Sequence, residues 1–333
     1  MLPIRRWEGE FVQQVVRSPY FDELTVGQVF DSAPPVTLTS GFQAAHAAVV
    51  GNRLRLAVDH ELARVVAGGA LAGPAVVWDV SIGQSTVATQ HVRANLFYRG
   101  LWFHRQPLLG DTLRTTTRVE ALRENSRRAG RQPTGLAVLK ITTVDQLDRV
   151  VLDYRRCAMI MLAPGAGETG RADEIAGAPE ISDDRDPFRS IAGWEVSPLT
   201  AHSAGSWHVG TTYDVLGGDV VSSAPELARL TGNLARVHHD REAGGGDRLV
   251  YGGHSIGLAF HHVCRALPGL VTVAGWHGCD HLAPVREGDL LTSSVVIDSA
   301  QDLQDGLTAL SLHVTSSVAA TAVLSWRPVV IVA

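Results

Sequence analysis

Residues 231–258 read T-G-N-L-A-R-V-H-H-D-R-E-A-G-G-G-D-R-L-V-Y-G-G-H-S-I-G-L. A polar run ends in His238-His239-Asp240, a glycine-rich loop follows, and Gly252-Gly253 open an apolar segment. In that segment Ile256, Ala259, Phe260, Val263 and Leu267 recur at helical spacing. The first N–H groups of a helix have no intrahelical acceptors and gather positive partial charge, so a residue without a side chain there admits a polarised oxygen. Gly253 is therefore a candidate oxyanion donor, flanked by Tyr251, Gly252 and His254. His238 is the candidate acid/base group, because imidazole titrates near neutrality. Asn233, five positions earlier, can orient a water or a carbonyl. Each feature alone is weak, since a histidine beside apolar sequence is usually structural and Gly-Gly before a helix is usually a turn. Their conjunction, and a comparison within the chain, point to a site.

The stretch has a twin. G-N-R-L-R-L-A-V-D at 51–59 aligns without a gap on G-N-L-A-R-V-H-H-D at 232–240. Further on, residues 98–111 pair with 276–289, and V-L-D-Y-R at 151–155 pairs with V-L-S-W-R at 323–327. A repeated plan of this period predicts two like units. His238 faces Ala57, so the imidazole survives in one copy. The expected organisation is an N-terminal unit over 1–163 with a degenerate site, a linker over 164–193 rich in Pro, Gly, Ala and acidic residues, and a C-terminal unit over 194–333 carrying the site.

At 333 residues the chain can bury two ordinary cores, and 45% hydrophobic with 19% charged residues is an ordinary globular composition. A formal charge of −5 offers no patch of the kind nucleic acid demands. No apolar run is long enough to span a bilayer, and no continuous apolar core follows the arginines of the first residues, so cytoplasm is the expected location. Cys157, Cys264 and Cys279 form no CxxC pair and no disulfide framework. Residues 1–17 read as a surface arm.

Residues 40–50 and 73–87 read as helices, the second with Pro74 in its first turn, and His46 as a helix-face residue. Leu113, Thr115, Thr117 and Val119 alternate with polar partners, the period of a strand with one wet face. Residues 136–143 and 149–162 read as further strands, and the arginine-rich insert 123–133 as a solvated hairpin loop, with phosphate binding the lesser reading. In the second half a short helix starts at Pro225, a central helix runs from His254 to Leu267, and strands run from His277, Leu290 and Leu307. Long antiparallel strands around a buried helix, given twice, make an α+β double hotdog.

With these residues in view, the chain resembles the MaoC-like acyl-CoA dehydratase and hydratase family, whose motif is roughly D-x-N-P-[IL]-H-x-D followed by a helix opened by His-Gly. His238 falls on the family's catalytic histidine, Asp240 on the aspartate two beyond it and Gly253 on the glycine whose N–H receives the thioester oxygen. R-L-V-Y-G-G-H at 248–254, H-L-A-P at 281–284, G-D-T-L-R-T-T at 110–116 and V-V-L-D-Y-R at 150–155 are similar to the mesaconyl-CoA hydratase (β-methylmalyl-CoA dehydratase) subgroup. Two departures stand out: Asn233 occupies the place of the family's catalytic aspartate, and Ala235-Arg236 replace Asn-Pro. An amide accepts no proton at neutral pH, which leaves the proton transfer to His238.

The resemblance implies reversible addition of water to an enoyl-CoA, with acyl-CoA as partner and neither metal nor redox cofactor. Asp240 would orient His238 or cap a turn, and Arg248, Arg236 and His254 are the cations available to a second substrate carboxylate. A hotdog thioesterase and a non-catalytic acyl-CoA-binding subunit are the rival readings. A metal site among His238, His239, Asp240 and the 277–281 histidines matches no ligand spacing. The repeat leaves both a monomer and a homodimer open.

Overall fold

The chain is described here from a computed structural model covering residues 15–175, 185–200 and 207–333. Most of the arm read over 1–17 lies outside the described residues. The strands are β1 (Val29–Phe30), β2 (Val36–Thr37), β3 (Val92–Phe103), β4 (Thr112–Glu124), β5 (Thr134–Val144), β6 (Val150–Met161), β7 (Thr212–Val220), β8 (Leu270–His281), β9 (Leu290–Asp302), β10 (Thr308–Val318) and β11 (Thr321–Val332). The helices are α1 (Ser40–Val50), α2 (Arg55–Val58), α3 (His60–Ala67), α4 (Pro74–Gln84), α5 (Ser197–Thr200), α6 (Ala224–Leu230) and α7 (Gly252–Ala266). The fold is the double hotdog, two antiparallel units each wrapping a central helix, α4 and α7.

Both units contribute to one 11-stranded sheet in the order β1-β4-β5-β6-β3-β8-β11-β10-β9-β7, with β2 also on β4. The seam is the antiparallel pair β3–β8, in register Tyr98↔Cys279 and Arg99↔Gly278. These are strands that the repeat equates, so like pairs with like about a pseudo-two-fold axis, as at an isologous interface. Arg99 and Asp280 form an ion pair across it at 2.6 Å. Beneath the seam Trp78 packs edge-on against Trp276 (5.2 Å between centroids) and Phe260 (5.4 Å), and Trp276 against Trp326 (5.8 Å). The main core cluster runs through both halves without a break.

Local rules account for most elements. Thr39 caps α1 by accepting the Phe42 N–H at 3.1 Å. Pro74 opens α4, where its missing N–H costs no helical bond. All 11 residues of α4 are buried, which fits a helix apolar on every side. In β4 the residues Leu113, Thr115, Thr117 and Val119 are buried while Arg114, Thr116 and Arg118 are exposed.

Three readings are corrected. The strand placed from His277 begins at Leu270, because L-V-T-V-A-G-W at 270–276 is buried on both faces and shows no alternation. His46 is no mere helix-face residue: it is buried, and its Nε2 meets Asp79 Oδ2 of α4 at 2.8 Å. The described parts of the connecting segment are also fastened down. The Arg171 guanidinium donates to the carbonyls of Phe21, Asp22 and Leu24, and Ile191 is buried at the end of a 3-10 turn over Pro187–Ile191.

Candidate active site

His238 ends a 3-10 turn, Arg236–His238, that hangs from α6 through the Asn233 loop. The loop is held from the other half of the chain: Thr86 Oγ1 accepts the Leu234 N–H (2.8 Å) and the Gln90 carbonyl accepts the Arg236 N–H (3.1 Å). The imidazole is buried, and its Nδ1 lies 2.7 Å from the Leu249 carbonyl. A carbonyl can only accept, so Nδ1 carries the proton and Nε2 keeps a lone pair. Burial in apolar surroundings lowers the His238 pKa to about 4, against the opposing pull of that hydrogen bond. At neutral pH this is an uncharged base.

A cavity of about 410 Å³ opens beside His238. Its wall comes from both halves: Ile82 and Thr86 at the end of α4, residues 92–96 and Tyr98 of β3 and Arg156 of β6, facing the Asn233–His238 loop, residues 249–252, Ser255 of α7 and residues 281–286. A site shared between two units explains why a chain with one intact copy of the motif retains its twin.

Asn233 is buried and lines this cavity, and its Oδ1 accepts the Ala235 N–H at 2.9 Å. Asn52 makes the same turn in the twin, accepting the Leu54 N–H at 3.2 Å. With the oxygen so engaged, the face left for a ligand is the amide N–H₂.

Tyr251 and Gly252 line the cavity, so of the two glycines it is Gly252, not Gly253, that borders it. Gly252 is needed for a close approach: a Cβ there would sit 2.5 Å from His281 Nε2. Gly253 faces inward, and a Cβ would lie 2.0 Å from Asp79 Oδ1 and 2.6 Å from the Tyr251 ring. Both glycines belong to the first turn of α7, whose N–H groups have no helical acceptor.

The remaining expectations fare differently. Asp240 does not orient His238; the Leu249 carbonyl does. Its carboxylate accepts the N–H groups of Glu242 (2.9 Å) and Ala243 (3.4 Å) and pairs with Arg236 (2.9 Å), a capping role that Asp59 repeats by accepting the Leu62 N–H. Arg236 is exposed and spent on that pair, and Arg248 donates to the His239 carbonyl (2.9 Å); neither lines the cavity. His254, in the first turn of α7, is fully buried outside the cavity wall, with no hydrogen-bond partner at either nitrogen among the described residues, and burial lowers its pKa to about 4.

Sequence reasoning missed three wall residues. His281 ends β8 and lies over Gly252, its Nε2 buried without a partner and its pKa lowered by burial to about 4. Arg156 is a buried guanidinium on β6. Arg93 lines the cavity and also a second one of about 850 Å³ under the β4–β5 loop, walled by Arg93, Arg127, Arg128 and Arg131 and by no carboxylate. The chemically dense V-Y-G-G-H run drew attention to itself; Arg93 and Arg156, single residues on strands of the other unit, carry no such local signal, and His281 stood out only as part of H-L-A-P.

The twin site is closed. Ala57 stands for His238, Pro74 heads α4 without an N–H, and Gln43 fills the gap between them. Its Nε2 donates to the Ala57 carbonyl (2.9 Å) and its Oε1 accepts the Gly73 N–H (2.7 Å). Among the described residues no cluster of three His, Cys, Asp or Glu could hold a metal ion, and no helix is long and apolar enough to cross a membrane.

No family model matches the chain. Beta-methylmalyl-CoA dehydratase of Chloroflexus aurantiacus is 30% identical over 292 residues, covering 82% of this chain and 80% of that protein. Mesaconyl-CoA hydratase of Cereibacter sphaeroides is 29% identical over 313 residues, covering 89% and 88%. Among solved structures, a conserved hypothetical protein of Mycobacterium tuberculosis with a double hotdog fold is 48% identical, with a TM-score of 0.86 over 94% of this chain and 98% of that one.

Proposed function

Because the chain belongs to the MaoC-like double hotdog family of acyl-CoA dehydratases and hydratases, we propose that it is a hydro-lyase adding water reversibly to an enoyl-CoA, with His238 as its acid/base group. The observation that carries this reading is the His238 tautomer: Nδ1–H is spent on the Leu249 carbonyl, and an unprotonated Nε2 is left at a cavity that ends on the first turn of α7.

The thioester oxygen sits at that helix mouth, where the N–H of Gly252, the glycine that borders the cavity, stabilises the enolate that forms as water attacks the β-carbon. One such donor is typically worth ~3 kcal/mol of barrier. His238 Nε2 takes a proton from the water, and the imidazolium gives a proton to the α-carbon. Asn233 cannot accept that proton; its N–H₂ holds the water oxygen while His238 does the transfer. The reverse sequence dehydrates a β-hydroxyacyl-CoA. These steps use no metal and no redox cofactor.

The nucleotide end of CoA lies outside the first cavity. Arg93 joins the two cavities, and the second, with four arginines and no carboxylate on its wall, suits the phosphates. Of the two readings of the 123–133 loop, phosphate binding is thus the one its surroundings favour.

Incubation with enoyl-CoA thioesters tests the proposal. Loss of the enoyl ultraviolet absorbance without release of free CoA is the expected result. Release of CoA would make the protein a thioesterase, and binding without absorbance change a non-catalytic subunit.

A further inference from the structure

Arg156 is a buried cation on the cavity wall to which the chemistry above assigns no role. It is 3% exposed, in the middle of β6, and no carboxylate pairs with it among the described residues. Its Nη2 donates to the Ser85 carbonyl (3.2 Å) and the Thr89 hydroxyl (2.7 Å) at the end of α4. That leaves Nε buried without an acceptor, and Nη1 also donates to no described residue. Other arginines facing the sheet interior or its margins have found carboxylates: Arg155 has Glu120, Arg105 has Asp145, Arg99 has Asp280. Taking a guanidinium out of water is costly unless a counter-charge meets it, and an N–H of a guanidinium that still lacks an acceptor makes a charge-assisted hydrogen bond to a carboxylate. Arg156 lines the same cavity as Asn233, His238 and Tyr98. The cations expected from the sequence for this task, Arg236, Arg248 and His254, do not reach its wall.

We propose that Arg156 is the residue that binds the second carboxylate of a dicarboxylic acyl group, the kind of substrate named for the relatives mesaconyl-CoA hydratase and β-methylmalyl-CoA dehydratase. The carboxylate supplies the counter-charge that the guanidinium lacks and fixes the acyl chain with its β-carbon toward His238. A thioester ending in a methyl group leaves the same cation buried and unpaired, and the site discriminates against it for that reason. The inference rests on the hydratase reading for its choice of cavity, but its recognition step involves no turnover.

The test compares mesaconyl-CoA with crotonyl-CoA on the wild-type protein and on Arg156→Gln. Wild type prefers the dicarboxylic thioester in kcat/KM, and in the variant the ratio of the two falls about 30-fold, which is ~2 kcal/mol at 1.4 kcal/mol per tenfold. A wild-type protein with no preference, or a folded variant that keeps it, overturns the assignment. Should neither thioester lose its enoyl absorbance, the hydratase reading fails separately. Calorimetric binding of the saturated analogues methylsuccinyl-CoA and butyryl-CoA then decides the role of Arg156, with tighter binding of the former expected and equal binding fatal. That binding comparison on wild type also stands if the variant's circular dichroism shows it unfolded.

Discussion

The pH dependence of turnover gives the sharpest test of His238. Its neutral form is the base, and burial holds its pKa at about 4 rather than 6.5. For an unperturbed imidazole, lowering the pH from 7.5 to 5.5 leaves roughly 9% in the neutral form, an about tenfold loss of kcat/KM. For His238 about 97% stays neutral at pH 5.5, so kcat/KM for an enoyl-CoA should be flat to below pH 5 and halve near pH 4. Acid unfolding must be separated from this limb. His238 and His254 both have folded pKa values of about 4 against an ordinary 6.5, so the unfolded chain takes up protons first. Each therefore contributes stability that is present above pH 6.5 and is lost as the pH falls toward 4, up to ~3 kcal/mol apiece. Tryptophan fluorescence on the assay samples identifies the pH at which the fold fails. An activity limb centred near 6.5 in fully folded protein would refute the buried-base argument. So would His238→Ala retaining turnover, where a loss of ~10²–10⁴ is expected.

Other consequences can be checked individually. Gly253→Ala drives a methyl group into the Asp79 carboxyl and the Tyr251 ring, and thermal unfolding should show a loss of ~1–3 kcal/mol, together with reduced kcat from a displaced helix mouth. Asp79→Leu strands His46 and the Tyr251 hydroxyl, which lies 3.2 Å from the carboxyl; denaturant titration should report a cost of ~3–5 kcal/mol. Asp240→Ala removes the aspartate of the H-x-D motif, yet kcat should stay within a few-fold of wild type, because the Leu249 carbonyl sets the His238 tautomer; a hundredfold loss would restore the aspartate as orienter. Arg128→Glu with Arg131→Glu should raise KM for a CoA thioester about tenfold or more but leave KM for the matching pantetheine thioester unchanged, the difference reporting the phosphates.

The double hotdog was legible because duplication printed the same sequence of turns and strands twice, and because β4 shows one wet face and one dry face. The position of His238 was legible for a related reason: its twin is an alanine in an otherwise parallel run. What escaped was everything that depends on the seam. Arg156 and Arg93 sit on strands of the first half whose local pattern speaks of sheet, and the β3–β8 pairing joins that half to the one whose loop carries His238. The role of Asp240 stayed open between two choices because a capping carboxylate and an orienting one occupy the same place in a motif; its hydrogen bonds are those of the cap. Asp79 gave no warning either, since nothing in an apolar helix announces that its single carboxylate will meet a histidine and a tyrosine from two other segments.

Gln43 makes the asymmetry of the two halves hard to undo. Its amide answers both the Ala57 carbonyl and the Gly73 N–H, so withdrawing it orphans two buried groups at ~1–3 kcal/mol each before any histidine can be of use. Restoring an imidazole at position 57 first would crowd the space the amide occupies. Equipping this half with a centre of its own therefore demands simultaneous change at several positions. Descendants of this chain are expected to vary the surviving pocket and leave the sealed one alone.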